Sequence, residues 1–168
     1  MPPKKLSPEQ WGEYLKLYED VSAELQKKPW FEEDWQTRKN YLNKSNPSGA
    51  WMQLIRDNWF DGNIHIETWL RNSNLDEQRF PLVLHIETSI PKHGLSRNDF
   101  TRVFLERARG IVESWDGYVI KPDYAMEPIS ARVPFTKETL VPALVGELER
   151  FQTLGTLIDQ TIKEVKRP

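Results

Sequence analysis

The chain has 168 residues, 25 acidic against 23 basic, and a formal net charge of -2, which gives no general attraction for nucleic acid or an acidic membrane. Cys 0 removes disulfides, thiolate metal sites and cysteine nucleophiles together. No apolar run approaches the ~20 residues that span a bilayer, and the length suits one hydrophobic core, so the expectation is a soluble cytoplasmic protein with no membrane partner.

In chain order, Met1 to Leu6 read as a frayed tail. Ser7-Pro8-Glu9-Gln10 then starts a helix, with serine as N-cap, proline at the first helical position and glutamine at the capping-box position. Its apolar stripe runs Trp11, Tyr14, Leu15, Tyr18, Val21 and Leu25, ending near Lys28 before Pro29. Trp30 to Asn43 reads as a second helix. After the turn at Asn46-Pro47-Ser48-Gly49, residues 50–55 fit either a helix or a strand, and helix is preferred. Six of the seven tryptophans precede Leu70, and such large side chains fill a core or line a binding surface.

Residues 62–91 carry the strongest pattern. Ile64-His65-Ile66-Glu67-Thr68 recurs as Leu84-His85-Ile86-Glu87-Thr88, and both copies alternate apolar with polar at the period of a half-buried strand. The polar segment from Arg71 to Arg79 makes an antiparallel hairpin with a long loop. Folding back about Asp76 would set His65 opposite Glu87 and Glu67 opposite His85, with Ile64, Ile66, Leu82, Leu84 and Ile86 on the other face.

Ser96-Arg97-Asn98-Asp99 caps a further helix with Phe100, Val103, Phe104, Ala108 and Ile111 inward. Tyr118 to Lys121 is a short strand, and Ile129, Ala131, Val133 and Phe135 mark another. The last helix begins near Thr139, since Pro142 is tolerated only in a first turn. It then runs unbroken to Val165, where Gly155 implies the close approach of another backbone. Together these elements define a two-layer α+β sandwich with a mainly antiparallel four-stranded sheet in ββαββα order. Residues 1–60 form a mainly helical extension and 61–168 the core of a single domain over 1–168.

The chemistry lies in the quartet His65, Glu67, His85 and Glu87. Three uses of it are open: cross-strand hydrogen bonds alone, a polar surface that binds a small ligand or a protein partner, or a metal site for a hydrolase or oxygenase, since imidazole and carboxylate suit zinc, manganese or iron. His93 reads as a solvated loop residue. No cofactor motif is present: glycines are scattered singly, which excludes phosphate-cradling loops, and no nucleophile elbow occurs. Single-stranded nucleic-acid binding through Arg97, Arg102, Arg107, Arg109 and Arg132 is opposed by the interleaved Glu106 and Glu113.

Overall fold

The computed structural model describes residues 5–166. The chain runs α1 (Pro8–Gln26), β1 (Trp35–Leu42), β2 (Gly49–Arg56), β3 (Ile64–Arg71), α2 (Asn72–Glu77), β4 (Arg79–Ile86), α3 (Arg97–Val112), β5 (Tyr118–Ile120), β6 (Ile129–Pro134), α4 (Leu140–Gln152) and α5 (Gly155–Val165). One turn of 3₁₀-helix, Ile90–His93, precedes α3. The six strands form one sheet in the order β1-β2-β3-β4-β6-β5, every neighbouring pair antiparallel. The α+β class is as expected; the sheet has six strands instead of four, because residues 35–56 are two strands and not helix.

The reason is visible in the side chains. On β1, Trp35, Thr37, Lys39 and Tyr41 share a face with the core residues Leu54, Met52 and Ala50 of β2. Thr37 spends its hydroxyl on Ser22 of α1. An edge strand with polar residues on both faces loses the alternation that announces a strand. On β2 the opposite occurs: Trp51 and Ile55 point away from the core yet are partly or fully covered, so both faces read apolar.

Helices α1, α3, α4 and α5 lie on one side of the sheet. Their buried residues join Met52, Leu54, Ile64, Ile66, Leu70, Phe80, Leu82, Leu84 and Ile86 in a single hydrophobic cluster, while Ile55 and Val83 of the opposite face stay outside it. Helix α1 packs on α4 and against β1 and β2, so it belongs to this layer and does not roof the histidine face. Its capping box forms as expected, with Ser7 accepting from the Gln10 amide. Leu6 is tied down by donating its N–H to Asn72 Oδ1 at 3.2 Å, contrary to a frayed tail there; residues 1–4 lie outside those described. The terminal helix is broken at Thr153 and Leu154, which sends Leu154 into the core. Gly155 meets a side chain and not a backbone: a Cβ there would stand 3.1 Å from Cζ2 of Trp35. Among the described residues no helix is long and apolar enough to cross a membrane.

Candidate functional site

The helices cover one sheet face, and the other carries His65, Glu67, Trp69 and Arg71 of β3 beside Trp51 and Gln53 of β2 and Val83 and His85 of β4. The alternation of the repeated pentapeptide therefore assigns faces correctly. The cross-strand partners differ from the expected crossed pairs. The hairpin pivots on Leu75, one residue earlier than Asp76, so His65 pairs with His85 and Glu67 with Val83. That two-residue change of register keeps every side chain on its face, sets imidazole against imidazole and leaves Glu67 opposite an apolar residue. Helix α2 sets it: Asn74 Oδ1 accepts the Arg71 N–H at 2.8 Å, and Gln78 turns the chain in the left-handed region at φ 52.

The two imidazoles stack, with ring centroids 4.9 Å apart and planes 12° from parallel. His65 is 1% exposed. Its Nδ1 lies 2.7 Å from the carbonyl oxygen of Gly62; a carbonyl only accepts, so Nδ1 carries the proton and, in the neutral ring, Nε2 presents its lone pair. The Gly62 carbonyl is placed by a left-handed φ of 83, in the Asp61-Gly62 turn before β3. Nε2 of His65 faces Glu67 Oε2 at 3.5 Å without hydrogen-bond geometry. His85 Nδ1 stands 4.0 Å from the same oxygen and 3.6 Å from Glu127 Oε1, and it too is buried without a hydrogen-bond partner.

Burial pushes the Glu67 carboxyl up, but the His65 imidazole, the Gln53 amide at 3.3 Å and His85 together outweigh it and hold the group below the usual glutamate range. Glu87 lies past the end of β4, its backbone N–H donating to Asn63 O at 2.8 Å and its carboxylate 3.6 Å from His85 Nε2. The fourth member of the sequence quartet is thus at the rim. His93 is remote from this arrangement in its contacts, stacking on Phe60 with centroids 5.1 Å apart.

A cleft of about 350 Å³ opens beside the imidazoles, lined by Leu42, Trp51, Glu67, Trp69, Arg71 and Glu127. Trp51 and Trp69 are direct cross-strand partners and half-buried. Sequence reasoning missed Trp51 and Gln53 because β2 read as helix. Trp69 and Arg71 continue the alternation of His65 and Glu67, so that signal was present. Glu127 arrives on the β5–β6 connection, which the Ile86 N–H fastens to β4 through Met126 O at 2.8 Å; no local pattern marks it. Compared with protein-family models, curated proteins and solved structures, the chain matches none.

Proposed function

We propose that this is a ligand-binding protein whose site is the cleft on the open sheet face, where Glu67 lines the wall and His65, His85 and Glu87 adjoin it through that carboxylate and one another. The observation that carries the reading is the pair of buried ring nitrogens, His65 Nε2 and His85 Nδ1, that have no protein partner. More than nine in ten buried polar groups are paired, and these two unpaired ring nitrogens both lie near Glu67, which lines the cleft, so a ligand there would complete them.

The lining describes the ligand. Two indole faces offer flat apolar surface, and Glu67 and Glu127 are acceptors that outnumber the one guanidinium, Arg71. A small ring compound rich in hydrogen-bond donors, a monosaccharide or a cyclic amine, matches that lining. Saturation-transfer NMR with monosaccharides and cyclic amines tests this, and Trp69→Ala should abolish the hits of the wild-type protein. An absence of hits from both classes, or hits that survive the substitution, refutes the reading.

A second reading, metal-dependent hydrolysis or oxygenation, has an observation of its own: donor atoms of His65, Glu67 and His85 all lie within 4.8 Å of one another. Such chemistry requires a bound cation with a coordination position open to the cleft. Nothing comparable favours nucleic acid, since Arg102, Arg107, Arg109 and Arg132 are each ion-paired with a carboxylate.

A further inference from the structure

We propose that His65, Glu67 and His85 form a mononuclear site for a divalent transition-metal ion, zinc or a similar cation, bound through His65 Nε2, a Glu67 carboxylate oxygen and His85 Nδ1. This rests on and deepens the metal reading above, and the ion would take the two ring nitrogens that the cleft reading assigns to an organic ligand.

The first support is electrostatic. With Nδ1 of His65 committed to the Gly62 carbonyl, Nε2 of the neutral ring carries a lone pair 3.5 Å from a carboxylate oxygen, in a residue 1% exposed. A lone pair against an anion, out of water, is unfavourable unless a cation lies between them, either a metal ion or the second proton that makes His65 an imidazolium, and the zinc titration below separates the two. The same carboxylate oxygen faces the unpartnered Nδ1 of His85 at 4.0 Å. The Glu67 carboxylate, which also accepts from the Gln53 amide at 3.3 Å, thus stands between two buried ring nitrogens that make no hydrogen bond.

The second support is metric. Tetrahedral zinc with bonds near 2.0–2.1 Å sets its ligand atoms about 3.3 Å apart. The separations of 3.5 and 4.0 Å from the Glu67 oxygen exceed that by about 0.2 and 0.7 Å, and all three donor atoms lie within 4.8 Å of one another, so the set closes on an ion by side-chain rotation. His65 is also held as metal-bound histidines generally are, its second nitrogen donating to a backbone carbonyl that fixes tautomer and ring orientation.

The rings must change their relation on binding. A lone pair lies in the plane of its ring, so planes only 12° from parallel have to open to meet at one ion. His65 is pinned by Gly62, whereas His85 has contacts of 3.6 Å and longer and is 15% exposed at its side chain. His85 is the ring that turns. Two imidazoles and one carboxylate leave a fourth tetrahedral position, which either water or the Glu127 carboxylate, 3.6 Å from His85 Nδ1, would fill.

Calorimetric titration of the chelator-treated 168-residue protein with zinc alone tests the assignment. One ion should bind per chain. His85→Ala and the isosteric Glu67→Gln should each weaken it by more than about tenfold, while His93→Ala leaves it unchanged; circular dichroism establishes that each variant is folded, and Glu67→Gln decides if His85→Ala is not. Long-range ¹H–¹⁵N spectra of the zinc form should show His65 bound through Nε2 and His85 through Nδ1, opposite nitrogens of the two rings. Failure to bind zinc, binding that both variants retain, or a His65 ring protonated on both nitrogens in excess zinc would each overturn the proposal. Because no organic ligand enters this titration and Trp69 is not a metal ligand, failure here is separable from failure of the cleft reading.

Discussion

At the scale of single residues, the firmest polar junction lies away from the cleft, at Asp159 of α5. Its carboxylate accepts from Arg56 Nη1 at 2.7 Å, Asn58 Nδ2 at 2.9 Å and Trp59 Nε1 at 2.8 Å. Arg56 also engages Asp34 and lies over the Trp35 ring, so this one acid ties α5 to the end of β2. Replacing it with alanine leaves the N–H of Trp59, a residue with 0% exposure, without a partner and removes one of the two acids on Arg56. Asp159→Ala should cost about 2–4 kcal/mol, read as a lower urea midpoint. A loss below about 1 kcal/mol would mean that water replaces the acid and that the junction holds little.

At the scale of elements, legibility followed how cleanly each face separates apolar from polar. The pentapeptide strands separate well, so their faces could be read, and Ser7 and Ser96 announced the starts of α1 and α3 through their caps. On β1, Lys39 and Thr37 sit on the core side of an edge strand, and on β2 Ile55 is 1% exposed on the far side. Neither departure can be deduced from the segment itself, because each depends on what other elements cover. The hairpin register was hidden for a different reason: a polar loop and the six-residue helix α2 use the same residue types, but they bring different partners together. Gln78, which closes that helix, is exposed with φ 52 and supports β6 by accepting the Phe135 N–H at 3.0 Å. A left-handed conformation costs a residue with a Cβ about 1 kcal/mol or more, and glycine adopts it freely. Gln78→Gly should accordingly be neutral to stabilising, by up to about 1 kcal/mol, and thermal melting measures it. A marked loss would show that the glutamine side chain contributes something beyond the turn.

At the scale of the whole molecule, the helical layer closes over the sheet through large side chains, and it traps two phenols in doing so. Tyr18 of α1 is fully buried, and its hydroxyl and that of Thr68 on β3 both lack a hydrogen-bond partner. Burial drives the Tyr18 phenol far above the usual tyrosine range, and the charge of Glu67 adds to the rise. Tyr118 of β5 is raised likewise, by burial and then by donating to Glu147 at 2.6 Å. A phenol raised in the folded state keeps its proton where the unfolded chain has released it. Its contribution is whole below the unfolded value near 10 and is lost as pH rises past that point. Stability should fall above about pH 10, and Tyr18→Phe should flatten the fall by up to about 1.4 kcal/mol per pH unit. At pH 7 the same substitution should change stability by less than about 1 kcal/mol, since it deletes a hydroxyl that makes no hydrogen bond. Urea unfolding at pH 7 and at pH 11 separates the two effects. Equal slopes for both proteins would mean that Tyr18 ionises in the folded state, and that the layer between α1 and the sheet admits water.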